Sequence, residues 1–140
     1  MRVAALDLGK VRVGLAVSDE LGALAHPRPP FDARNRKVLL DKIAAFAAEE
    51  QIERLVVGLA LDANGEEGPA ARKCITFAEQ VAAVTGKPVD LWDERFTTVE
   101  AHRRLRAGGR DARSSRGRVD SAAACIMLQA WLDGYREREG

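Results

Sequence analysis

Two short apolar runs near the start of the chain limit its fold more than any other feature. Val3 to Gly9 (VAALDLG) and Val13 to Asp19 (VGLAVSD) are joined by the basic connection Gly9-Lys10-Val11-Arg12, and a β-hairpin is the simplest arrangement of such a pair. A third short strand is expected near Ala23 to Ala25, before Pro27, Pro29 and Pro30 interrupt regular pairing.

Helices and strands then alternate. From Val38 to Glu50 the apolar residues Leu39, Ile43, Phe46 and Ala47 recur at helical spacing, and Arg54 to Leu59 (RLVVGL) reads as a buried strand. Asp62 to Gly68, with Asn64-Gly65, reads as a loop. Ala70 to Thr85 gives a second helix, with Ile75, Phe77, Ala78 and Ala82 on its inner face and Gly86 at its end. Val89 to Trp92 is a further strand, followed directly by Asp93, Glu94 and Arg95. Thr97-Thr98-Val99-Glu100 has the form of a capping box, so a helix is predicted from Thr97 to about Ala107. Arg110 to Gly117 reads as a loop before a last helix from about Val119 to Tyr135. A hairpin followed by alternating helices and strands predicts an α/β fold, with a mixed sheet, an antiparallel edge, helices on both faces and right-handed crossovers. Composition agrees: aromatics make up 5% of the chain against 46% hydrophobic residues, so the core should be aliphatic. With 140 residues, one domain covering 1–140 is expected.

The charge is unevenly spread. Residues 1–100 carry 13 basic and 16 acidic side chains, while residues 101–140 carry 9 and 5, which points to a polyanionic partner for the later part. No long apolar run or signal-peptide start is present, so a cytoplasmic protein with no membrane partner is expected. Cys74 and Cys125 lack metal-ligand spacing and are expected as buried, reduced thiols.

Three acids stand where acids are costly. Asp7 lies inside an apolar strand, where an unpaired carboxylate would carry a desolvation penalty of several kcal/mol; a metal ion, a salt bridge or a hydrogen bond to a neighbouring loop would compensate it. Asp120 shares a helical face with Ala123, Ala124, Met127 and Trp131, and is either a functional acid aimed at the sheet or a charge that complements the helix N-terminus. Glu94 follows a buried strand beside a second acid, Asp93, and alternation does not decide between the two; as exposed acids they could instead bridge Arg95 or Arg36. Together the acids supply oxygen ligands from two strands and a helix, a donor set that suits Mg²⁺ or Mn²⁺. Two such ions about 4 Å apart would activate a water against a phosphodiester. His26 and His102 have no recognisable catalytic partners.

Seven arginines and a single acid, Asp111, fall between Arg103 and Arg118, interrupted by Gly and Ser. Arg103, Arg104, Arg110, Arg113, Arg116 and Arg118, together with Arg12 and Arg95, are candidates for gripping a nucleic-acid backbone, RNA or DNA. No aromatic residue in the 103–118 stretch offers base stacking.

The chain resembles the YqgF family of RNase H-like proteins, described as Holliday-junction-resolvase-like and as candidate nucleases of the pre-16S rRNA 5′ end. The resemblance runs almost end to end. It rests on Asp7-Leu8-Gly9 through Arg12-Val13-Gly14 to Ser18-Asp19, on Val56-Val57-Gly58-Leu59, on Asp93-Glu94-Arg95-Phe96-Thr97-Thr98 with Glu100-Ala101, and on Val119-Asp120-Ser121-Ala122-Ala123-Ala124 with Leu128-Gln129. It implies an RNase H-like three-layer fold and divalent-metal nuclease activity in the cytoplasm, with Asp7, Glu94 and Asp120 as the acidic positions, and so favours Glu94 over Asp93. Two positions depart from the family pattern: Val11 stands where a Lys is usual, and Ala60 where Pro is frequent.

Two other readings remain open. Asp7-Leu8-Gly9 and the hairpin also match the phosphate-binding opening of an actin- or hexokinase-like ATPase, although such proteins close two lobes over a nucleotide and 140 residues supply one. A non-catalytic nucleic-acid-binding or ribosome-assembly module is the other. Symmetric cleavage of a four-way junction would require a homodimer, which the sequence does not display.

Overall fold

The computed structural model describes residues 1–61, 64–96 and 121–139. Within them five strands form one sheet: β1 (Val3–Leu8), β2 (Arg12–Ser18), β3 (Ala25–Asp32), β4 (Arg54–Leu59) and β5 (Val89–Asp93). Their order across the sheet is β3-β2-β1-β4-β5. β1, β2 and β3 pair antiparallel, as the hairpin reading requires, while β1, β4 and β5 run parallel. Among the described residues three helices flank the sheet: α1 (Arg36–Glu49), α2 (Pro69–Thr85) and α3 (Ala122–Glu139).

Alternation along each strand sorts side chains onto two faces. Ala4, Leu6, Val13, Leu15, Leu55 and Val57 face α1 and α2, where Leu39, Ile43, Phe77 and Val81 complete the core. Val3, Ala5, Ala16 and Val56 face α3, which contributes Ala124, Met127, Leu128 and Trp131. The expected mixed sheet with helices on both faces is what forms.

Local signals explain most element ends. Asn35 caps α1 by accepting a hydrogen bond from the Val38 amide at 3.1 Å. Pro69 occupies the first turn of α2, and Gly86 ends that helix at φ 70°, a left-handed conformation that suits glycine. No helix among the described residues is long and apolar enough to cross a membrane.

Three expectations need correction. The prolines do not end the third strand; Pro27, Pro29 and Pro30 lie within β3. β3 is an edge strand, so half of its amides need no ladder partner, and the register shift between Val13 and Leu15 absorbs Pro29-Pro30 opposite Gly14 as a bulge. The inner face of α2 is Ala71, Cys74, Phe77, Ala78 and Val81, with Ile75 and Ala82 only half-buried, because the row that begins at Ala71 carries the single large ring. On α3, Ala123 is exposed while Ala124, Met127 and Trp131 are buried. The predicted helix over 97–107, the 110–117 loop and Asp120 lie outside the described residues.

Candidate active site

The C-terminal end of β1 brings Asp7 to the α3 side of the sheet, two residues beyond Ala5 on the same face. Its cross-strand partner on β2 is Gly14. On the other flank Leu6 pairs with Val57, so Gly58 follows beside the Asp7 end of β1. The strand thus carries its acid between two neighbours that have no side chains.

Glu94 reaches that space from β5. It opens the short 3-10 turn Glu94–Phe96 directly after the strand, and its carboxylate folds back over Gly58. A Cβ at position 58 would stand 2.6 Å from Glu94 Oε1 and 3.2 Å from Met127 Sδ. Only a hydrogen at that position leaves room for the carboxylate. A side-chain hydrogen bond joins Glu94 to Asp7.

Two carboxylates in hydrogen-bond contact must share a proton or a cation. Burial pushes the Asp7 carboxyl up, an effect its hydrogen bond with Glu94 partly offsets. Glu94 is pushed up to about 7, first by burial of its carboxyl end, then by the negative charge of Asp7, the hydrogen bond to it, and the charge of Asp93. At acid pH the pair therefore holds a proton between its two carboxylates. Cys74, buried in α2, contacts the Ala60 backbone; burial above all pushes its thiol up, and the charges of Glu94 and Asp7 add to that. It is a packed thiol, as expected.

Asp93 has a different partner. Arg95 donates to it from its backbone amide at 3.0 Å, from Nε at 3.1 and 3.0 Å, and from Nη2 at 2.6 Å, and this holds the Asp93 carboxyl below its ordinary value. The bridge to Arg95 weighed for this pair of acids therefore applies to Asp93 and not to Glu94. Arg12, the other described arginine of the predicted set, is exposed at the start of β2, where its carbonyl accepts from the Gly9 amide at 3.0 Å across the hairpin turn. Asp120 and Arg103, Arg104, Arg110, Arg113, Arg116 and Arg118 lie outside the described residues. Among the described residues no three His, Cys, Asp or Glu side chains converge; the described part of the site is the Asp7–Glu94 pair.

Sequence reasoning missed two residues that shape this site. Gly58 could have been found as the one residue without a side chain in the apolar run RLVVGL, a sign of close approach. Ser121 lies in a motif of the family resemblance, but nothing in the residue pattern marks its anchoring role. Its buried hydroxyl donates to the Arg28 carbonyl at 2.6 Å and accepts from the Leu15 amide at 3.0 Å, anchoring the start of α3 across β2 and β3.

A mixed sheet in this order, with helices on both faces and acids at the ends of β1 and β5, defines an RNase H-like α/β protein. The solved structure of Thermus thermophilus RuvC in complex with Holliday junction substrate shares the fold: TM-score 0.59 at 17% identity, covering 100% of this chain and 96% of that one. So does fowlpox virus resolvase with its substrate junction DNA, TM-score 0.60 at 10% identity, covering 96% and 99%. The chain belongs to the family described as RuvX, Holliday junction resolvase, which matches residues 1–134; it is a nuclease, a hydrolase of phosphodiester bonds. A protein of Anaeromyxobacter sp. strain Fw109-5, named as a candidate pre-16S rRNA nuclease, is 48% identical over 96% of this chain and 98% of its own length. A Myxococcus xanthus protein of the same name is 39% identical over 97% and 90%. The family resemblance seen in the motifs is thereby established.

Proposed function

We propose that the chain, as one nuclease domain over 1–140, hydrolyses phosphodiester bonds in structured nucleic acid with Asp7, Glu94 and Asp120 as its catalytic carboxylates. The same three acids would hold one or two Mg²⁺ or Mn²⁺ ions. The observation that carries this reading is the hydrogen-bonded Asp7–Glu94 pair in the space that Gly58 leaves open. The donor set fits a hard divalent cation: both described groups are carboxylate oxygens, and their mutual repulsion is what a cation in place of the shared proton would relieve. When bound, such an ion would supply an activated water and neutralise charge on the phosphate.

The protein's own residues prepare that chemistry. Glu94, with its carboxyl raised to about 7, gives up its shared proton near neutral pH when a cation competes for the pair. Asp120 immediately precedes Ser121, whose hydroxyl is fixed to Leu15; Leu15 pairs with Leu6, next to Asp7. That adjacency supports Asp120 as the third ligand. Arg12, Arg95 and the arginines at 103, 104, 110, 113, 116 and 118 would grip the substrate backbone.

The names of the relatives favour pre-16S rRNA as substrate, a role that would place the protein in the cytoplasm; the family description favours Holliday-junction-like DNA, whose symmetric cleavage would require a homodimer. The test is a cleavage panel of precursor rRNA, four-way DNA and single-stranded DNA, run with Mg²⁺, Mn²⁺ or EDTA on wild type and Asp7→Asn. Cleavage is expected only with metal and is abolished by Asp7→Asn. Equal cleavage by the two proteins would sink the carboxylate mechanism.

A further inference from the structure

Asp93 and Arg95, the residues on either side of Glu94, form a closed fork, close enough for the Asp93 charge to act on the Glu94 carboxyl. Four hydrogen bonds tie the two residues together, using both Asp93 oxygens. The arginine also packs on the loop before α2: a Cβ at Gly65 would meet Arg95 Nη1 at 3.0 Å and Nη2 at 3.3 Å. Gly65 has φ +81°, so it supplies both a left-handed turn and the bare backbone against which the guanidinium rests. The result is an arginine whose head is held on one side by a carboxylate and on another by a loop.

The sheet register assigns Asp93 a role distinct from that of Glu94. Asp93 pairs with Leu59, which follows Leu55 and Val57 on the α1 and α2 side, whereas Asp7 faces α3. Its side chain is 12% exposed and wholly engaged, while that of Arg95 remains 44% exposed. A negative side chain beside a polyanion site is an electrostatic liability. Its presence calls for a compensating gain, and the geometry offers one. An exposed arginine samples many rotamers, and a fork that fixes its plane removes that entropy before substrate arrives.

We propose that Asp93 is a positioning residue that holds Arg95 at the site rim to meet a backbone phosphate of the bound strand next to the scissile bond. This rests on the nuclease reading above. It assigns Asp93 to substrate alignment and leaves metal binding to the other acids.

The two roles of Asp93 predict opposite signs. As a bare charge, its removal would tighten binding of a polyanion; as a positioner, its removal weakens binding although the site becomes more positive. The experiment measures binding by fluorescence anisotropy across a salt series, in an Asp7→Asn background, to two probes: a fluorescein-labelled single-stranded RNA and a labelled four-way DNA junction. Asp93→Asn is expected to weaken binding about 3–10-fold, and Asp93→Glu to restore part of the loss. Arg95→Ala is expected to weaken it about 10-fold and to reduce the log–log salt slope by roughly 0.7–0.9, one phosphate contact. Adding Asp93→Asn to Arg95→Ala should cost nothing further. Binding by Asp93→Asn as tight as the parent or tighter overturns the proposal, as does an equal loss in the Arg95→Ala background. If Asp93→Asn fails to fold, Arg95→Lys decides: it keeps the charge but loses the fork, so unchanged affinity overturns the proposal and weakened affinity upholds it. A parent protein that binds neither probe refutes the nuclease reading itself, and this inference with it. Binding that is indifferent to Asp93 refutes this inference alone.

Discussion

Gly58→Ala places one methyl group against the carboxylate pair and little else. The new Cβ would stand 2.6 Å from Glu94 Oε1, where ordinary contact begins at 3.4 Å, so the carboxylate must retreat by about 0.8 Å. Met127 Sδ at 3.2 Å must also yield, but a thioether at the end of a flexible chain does so at small cost. Overpacking of this kind costs about 1–3 kcal/mol, and replacing a strand glycine with alanine returns about 0.5–1 kcal/mol. Net destabilisation is then at most about 2.5 kcal/mol, a fall in Tm of at most about 8–10 °C for a chain of this size. The catalytic effect should be much larger, because a displacement approaching 1 Å in a reacting constellation costs about 100-fold. Thermal melting and initial cleavage rates with Mn²⁺ on the same preparation separate the two effects. A folded Gly58→Ala protein that cleaves within about 3-fold of wild type would show that the position of Glu94 over Gly58 does not matter to the chemistry, and the site assignment would fail.

Other expectations follow from the same pair and from its anchors. In metal-free protein the Glu94 carboxyl is raised from 4.5 to about 7, so the folded state binds its proton more tightly than the unfolded state. That stability is full below pH about 4.5 and is lost as pH rises through about 7. Glu94 is exposed as a residue, so solvent screening reduces the effect to about 1 kcal/mol; melts in EDTA should show Tm falling by about 3–4 °C over this range, with Glu94→Gln lacking that component. Mn²⁺ should raise Tm in wild type, more so at higher pH as the pair loses its proton, and have no effect on Asp7→Asn; an equal rise in both proteins would place the ion elsewhere. Ser121→Ala leaves the buried Leu15 amide without its acceptor and should cost about 1–3 kcal/mol by urea unfolding. A neutral result would mean that α3 is not anchored there.

The topology was legible because each element carries a local signature. The hairpin appears as two apolar runs four residues apart, and the RLVVGL run and the Gly86 stop match β4 and the end of α2 to within a residue. The failures share one cause: local rules say what a residue prefers, not which neighbours it meets. Three prolines looked incompatible with a strand, yet an edge strand next to Gly14 accommodates them through a bulge. On α2, Ile75 looked like core by hydrophobicity alone, but Phe77 and Val81 set the phase of the helix and turn Ile75 toward its flank. Ser18 and Asp19, part of the family motif, turn out to be scaffold. Ser18 Oγ accepts from the buried Val3 amide at 2.8 Å, and Asp19 folds the turn after β2 by accepting from the Ala23 amide at 2.9 Å.

The adjacent acids Asp93 and Glu94 show why the site was only half legible. Alternation would send neighbouring strand residues to opposite faces, but it cannot say which of the two still belongs to the strand. The strand ends at Asp93, which stays on the side of the α2 loop and binds Arg95; Glu94 enters a 3-10 turn that redirects its carboxylate across β4. What admits it there is an absence, the missing side chain of Gly58, and an absence one strand away leaves no trace in the sequence around Glu94 itself. Gly58 and Glu94 are therefore a complementary pair, since a side chain at 58 and a carboxylate from 94 cannot occupy the same space. Double substitution gives that complementarity a measurable form. Glu94→Asp draws the carboxylate back by one methylene, so combined with Gly58→Ala it should cost less stability than the two single effects added together.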